Sequence, residues 1–139
     1  MVAYLDSSVL LRHILLGDEG MRQVLECGAV VSSELLEIEC KRVFHRYRLQ
    51  GDLDDSGFLE AQGRLEFVLS GVYLLLLSSD VKKRASEAFP VQIRTLDALH
   101  ISSALAFKSA RPKEALLFFS YDNQLNRCAK ALELGAPFS

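Results

Sequence analysis

The chain has 139 residues, 50% of them hydrophobic and 24% charged, which fits one folded domain and excludes a disordered tail protein. Sixteen Lys and Arg stand against 18 Asp and Glu, a formal net charge of −2, so a uniformly basic nucleic-acid coat is excluded while a local basic patch is not. The longest apolar stretch, Val72–Leu77, is far shorter than the roughly 20 residues a membrane-spanning helix needs, and with Asp6 already in the opening segment no secretion signal is expected.

In chain order, apolar runs alternate with longer amphipathic segments. Val2-Ala3-Tyr4-Leu5 runs into Asp6, and Ser8–Leu16 follows as a short helix. Met21–Glu26 makes a second helix, ended by Gly28. Ala29-Val30-Val31 runs into Ser32-Ser33, and the long helix Glu34–Leu49 closes at Gly51. Asp54–Leu69 is another helix. Val72–Leu77 runs into Ser78-Ser79-Asp80, and Val81–Ala88 stops before Pro90. Thr95–Ala110 follows, with Thr95 as its expected N-cap, and is halted by Pro112. Ala115-Leu116-Leu117-Phe118-Phe119 runs into Ser120-Tyr121-Asp122, and Asn123–Leu134 ends at Gly135. A patch around Pro137-Phe138 suggests an edge strand. Unbroken apolar runs suit strands covered on both faces, as in parallel sheets, and the Ser and Asp that follow them are ready N-caps. One domain spanning residues 1–139 is expected, an α/β sandwich around a mostly parallel sheet. The three cysteines, Cys27, Cys40 and Cys128, form no CxxC motif and are expected as buried free thiols in a reducing compartment.

Ligands of open parallel sheets bind beyond the carboxyl ends of the strands. Asp6 follows the first apolar run directly and Asp122 lies three residues after the fourth, so both fall at that end. Either alone serves as a helix cap, but two on one rim repel unless a cation lies between them. Asp97 falls in the first turn of the apolar helix that begins at Thr95, where a carboxylate also favours the helix dipole. Glu39 lies in Glu34-Leu35-Leu36-Glu37-Ile38-Glu39-Cys40, and periodicity leaves open which of Glu34, Glu37 and Glu39 points inward.

Read together, Tyr4-Leu5-Asp6-Ser7-Ser8, then Ser33 with Glu39, then Thr95-Leu96-Asp97-Ala98-Leu99-His100-Ile101-Ser102-Ser103-Ala104, then Ser120-Tyr121-Asp122 resemble the PIN domain over essentially the whole chain. Within that family the resemblance is to the VapC-type toxins of prokaryotic toxin–antitoxin pairs. It implies a three-layer α/β/α sandwich with four to five strands. Carried over residue by residue, the family's four acids match Asp6, Glu39, Asp97 and Asp122, with Ser8 and Ser120 as supporting hydroxyls. Four such carboxylates would make a hard-oxygen site for Mg²⁺ or Mn²⁺, serving an endoribonuclease that hydrolyses RNA phosphodiester bonds in the cytoplasm. A cognate antitoxin and a homodimer are the implied partners. The exposed apolar positions expected for the dimer lie on Asp54–Leu69 (Leu59, Leu65, Phe67, Val68) and on Val9–Leu16.

A substrate reaching a negative cluster needs positive charge nearby. Residues 41–48 carry Lys41, Arg42, Arg46 and Arg48. Arg42 and Arg46, one helical turn apart, share a face that suits RNA phosphates or a protein rim. Lys82-Lys83-Arg84 reads as plain surface, Tyr4 and Tyr73 as core, and His100 as a satisfied packing residue. An aspartyl phosphotransferase of the haloacid-dehalogenase type would want a second acid two residues after Asp6, where Ser8 stands. A receiver-like domain would want an acidic pair before the first helix and a Lys after the last strand. A catalytically silent PIN-fold interaction module is the remaining alternative.

Overall fold

The computed structural model describes residues 1–139. Its strands are β1 (Val2–Leu5), β2 (Ala29–Ser33), β3 (Tyr73–Leu75) and β4 (Leu116–Phe119). Its helices are α1 (Ser7–Leu16), α2 (Met21–Leu25), α3 (Leu35–Gln50), α4 (Asp55–Leu69), α5 (Ser79–Ala85), α6 (Thr95–Ala110) and α7 (Asn123–Ala131). All four strands are parallel, in the order β3-β2-β1-β4. Val2 stands opposite Ala29 on one side and Leu116 on the other.

The period-two alternation of a strand sends successive side chains of β1 to opposite faces. Ala3 and Leu5 enter one core with Val9 and Leu10 of α1, Cys40 and Phe44 of α3 and Leu65 of α4. Val2 and Tyr4 enter the other with Ile101 and Ala104 of α6 and Leu125 and Ala129 of α7. Helices α1 to α4 therefore cover one face and α6 and α7 the other, the three-layer α/β/α sandwich that the sequence implies. Each large side chain fully buried in these cores contributes about 1.5–3 kcal/mol. Helices α1 and α3 end at Gly17 and Gly51, whose φ of 67° and 82° closes the last turn in the left-handed region that glycine adopts without strain.

Several sequence expectations change. Tyr73 is 71% exposed rather than core, because β3 has three residues and lies at the sheet edge. No strand forms at Pro137-Phe138. The tail makes a single parallel bridge from Gly135 to Leu117, and Phe138 instead stacks on Tyr121 with ring centroids 5.0 Å apart. Helix α7 stops at Ala131, short of Leu134, and Glu133 just beyond it turns the chain with a φ of 65°. Thr95 is the first residue of α6, and the cap position belongs to Arg94, whose extended backbone carries no capping side-chain bond. All three cysteines are free, Cys40 and Cys128 buried and Cys27 half-buried. Burial pushes all three thiols up. On α4, Leu65 is buried in the core, while Leu59 and Phe67 are exposed, as is Leu16 at the end of α1. No helix is long and apolar enough to cross a membrane.

Candidate active site

The chain moves from β1 outward to β2 and β3, then returns to place β4 on the other side of β1. The order of the sheet thus reverses between β1 and β4, and a crevice opens at the carboxyl ends of such a pair. Asp6 follows β1 and Asp122 follows β4, so both stand on that crevice.

Asp6 is 5% exposed and caps α1. Its Oδ2 accepts the Ser8 hydroxyl at 2.6 Å, the Ser120 hydroxyl at 2.8 Å and, more weakly, the Ser8 backbone N–H at 3.4 Å. Asp122 caps α7, its Oδ1 accepting the Leu125 N–H at 2.9 Å. The Ser120 oxygen also accepts the Asp122 N–H at 3.0 Å, so one hydroxyl ties the two acids together. Ser8 likewise links Asp6 to the turn after β4, accepting the Tyr121 N–H at 3.0 Å. Short hydroxyl side chains are needed at both places, since each must reach a carboxylate and a backbone group at once.

Asp97 projects from the first turn of α6. Its carboxyl is held above the ordinary value by burial, then by the charges of Asp122 and Asp6, against the opposing pull of Arg94. With Ser120 tying Asp6 to Asp122, the three acids are linked by a continuous run of contacts. The Arg94 guanidinium lies between two of them, 3.7 Å from Asp97 and 3.8 Å from Asp122. Sequence reading left Arg94 without a role, although its i,i+3 spacing from Asp97 is the signal that marks it.

Of the three glutamates at the start of α3, the structure turns Glu39 inward. Glu34 accepts the Leu77 N–H at 2.6 Å and ties down the end of β3, and Glu37 pairs with Lys41 at 2.7 Å on the outside. The Glu39 carboxylate bonds His100 Nε2. His100 is fully buried, and its Nδ1 lies 2.8 Å from the Tyr4 hydroxyl. Burial pulls the imidazole down, but the bond and charge of Glu39, with Asp6 and Asp97 behind it, outweigh that and hold it above its ordinary value. His100 is thus satisfied on both ring nitrogens and forms a buried bridge from the core of β1 to the fourth acid.

The side chains as they stand do not close into a group of three or more His, Cys, Asp or Glu that could hold a metal ion. The donor chemistry nevertheless suits a hard divalent cation: the three crevice acids offer only oxygen, the Asp97 carboxyl is raised by burial and by the charges of Asp122 and Asp6, and a guanidinium already sits between two of the acids. Arg42 and Arg46 are exposed on α3 and flank a surface hollow with Leu49.

The family model for the PIN domain matches residues 3–131. A chain of the crystal structure of VapBC2 from Rickettsia felis, bound to a DNA fragment from their promoter, superposes with a TM-score of 0.70 at 14% identity, covering 98% of this chain and 97% of that one. At that identity the superposition speaks for the fold. Among curated proteins none matches the chain.

Proposed function

The chain belongs to the PIN domain family, and on that premise we propose that it is a divalent-metal-dependent endoribonuclease, the toxin of a type II toxin–antitoxin pair. The observation that carries this reading is the chain of contacts joining the three aspartates at the point where the sheet order reverses: Ser120 bonds Asp6 and the Asp122 backbone, and Arg94 approaches both Asp97 and Asp122. These three, with Glu39, are the residues that would hold Mg²⁺ or Mn²⁺. A bound ion of this kind would offset the charge of the scissile phosphate and make water a usable nucleophile near neutral pH.

The chain's own residues do the rest. Ser8 and Ser120 fix the Asp6 carboxylate in one orientation, and the Leu125 N–H does so for Asp122. His100 bonds the Glu39 carboxylate and fixes its orientation. Arg94 is 84% exposed, so it can leave the carboxylates for a phosphate at little conformational cost. Arg42 and Arg46 supply a second positive surface for RNA or for a protein partner.

An antitoxin partner is proposed because the superposed neighbour is a VapBC2 assembly. A homodimer is proposed on the exposed Leu16, Leu59 and Phe67 of α1 and α4. A cytoplasmic setting follows from that proposed role. The competing reading, a silent interaction module, is favoured by one observation, the engagement of Glu39 by His100. The test is incubation of the purified protein with a pool of RNAs in Mn²⁺. Cleavage that stops on chelation supports the nuclease, whereas intact RNA beside a folded, Mn²⁺-saturated protein supports the silent module.

A further inference from the structure

A cavity of about 510 Å³ lies between α5 and α6, next to the acid crevice, within the size range of small-molecule pockets. Phe89 and Ile93 line it beside Gln92 and Thr95, and two cations, Lys82 and Arg94, stand on its wall. Arg94 belongs to both places, since the same guanidinium approaches Asp97 and Asp122. The cavity and the crevice are therefore adjoining parts of one surface, joined by a positive charge. The Phe89 ring is fixed from one side by the Arg84 guanidinium, 4.3 Å from its centroid, and Arg84 is anchored by donating to the Ala88 carbonyl at 3.1 Å.

We propose that this cavity seats the nucleotide next to the scissile phosphate, with its base against Phe89 and its phosphate on Lys82 and Arg94. The inference rests on reading the acids as a ribonuclease site and names where that site takes hold of its substrate. Three properties favour a nucleotide here. An aromatic wall binds any base through its π-face, and such stacking is sequence-tolerant. Gln92 offers both a donor and an acceptor, and Thr95 a hydroxyl, for a base edge. A phosphodiester approaching a cluster of carboxylates needs compensating cations, and Lys82 and Arg94 outnumber Glu87, the cavity's acid. The mixed and positive lining suits a nucleotide better than an apolar peptide segment.

The test is an amide chemical-shift titration of the metal-free protein with AMP, CMP, GMP and UMP, using ribose 5-phosphate as the control without a base. Nucleotides are expected to move the Phe89, Gln92 and Thr95 amides, and ribose 5-phosphate to bind more weakly. Phe89→Ala should weaken nucleotide binding about tenfold, the scale of losing one stacked base, and Lys82→Gln by a smaller factor. If Phe89→Ala fails to fold, Lys82→Gln and Gln92→Ala, both at exposed positions, carry the test. Equal binding of ribose 5-phosphate, shifts confined to the Arg42 and Arg46 face, or unmoved cavity amides overturn the proposal. So does protection of those same amides by a partner protein while nucleotides leave them unmoved. Because no cleavage is measured, loss of the nuclease reading and loss of the nucleotide seat are separate results.

Discussion

Asp6 and Asp122 sit on strand-to-helix turns and Glu39 sits in the middle of a helix, and the two situations hold a carboxylate by different means. Each of the first two accepts a backbone N–H two or three residues ahead, with Ser8 and Ser120 stitching the turns together. Their placement is local and comes with the start of a helix. Glu39 depends on His100, 61 residues away, which in turn leans on Tyr4, a further 96 residues back along the chain. A carboxylate placed by a cap tolerates change around it, whereas one placed by a buried side-chain bridge is only as well fixed as that bridge.

The largest effect should come from breaking the bridge. His100→Leu leaves the buried Tyr4 hydroxyl and the Glu39 carboxylate without their ring partner, which should cost about 2–4 kcal/mol in urea unfolding. His100→Gln, able to bond one of the two, should cost less. The caps should respond more mildly. Asp122→Ala should cost about 1 kcal/mol by the same measurement, and Asp122→Asn close to nothing, because Asn caps as well as Asp.

Asp97 makes no cap, so removing its charge should relieve its burial and repulsion, offset only by the loss of its exposed pairing with Arg94. Its carboxyl is raised in the fold by burial and by Asp122 and Asp6. A raised carboxyl destabilises the protein above its folded value and has no effect below its unfolded value, the reverse of a carboxylate held down by a partner. Metal-free Asp97→Asn should therefore melt at or above the parent, by about 2 °C at neutral pH, and the gain should vanish as the pH falls below the unfolded value. The smallest effect is expected outside the site. Glu37→Gln breaks an exposed i,i+4 pair with Lys41 and should change stability by less than about 0.5 kcal/mol.

This contrast also explains what the sequence made legible. Caps announce themselves, since an apolar run ending in Asp or Ser predicts both the strand and the helix that follows, and Asp6, Ser78 and Asp122 stand as caps in the structure. The parallel sheet is readable for the same reason, whereas α6 is legible from its apolar pattern and the stop at Pro112, since its expected Thr95 cap does not form. Glu39 was not separable from Glu34 and Glu37 by periodicity, because its partner lies on another helix and no local pattern encodes that pairing. Tyr73 is exposed against expectation because an apolar run does not say whether its strand is central or at an edge. Arg94 and the cavity beside it have no local signal, because Lys82 reads as ordinary surface and only the packing of α5 on α6 sets it on the same cavity as Arg94.

The claim at the centre of the account is that Asp6, Asp97 and Asp122 together make a seat for one kind of divalent cation, with Glu39 at its margin. The most direct test is Mn²⁺ binding, read from the paramagnetic resonance signal of the free ion, for the parent and for Asp6→Asn, Asp97→Asn, Asp122→Asn and Glu39→Gln. Each of the first three should weaken binding more than about tenfold, beyond the loss usual for a supporting partner at the low end of its range, and Glu39→Gln should weaken it less. Mn²⁺ affinity unchanged in all three aspartate variants, with each variant folded, would contradict the account.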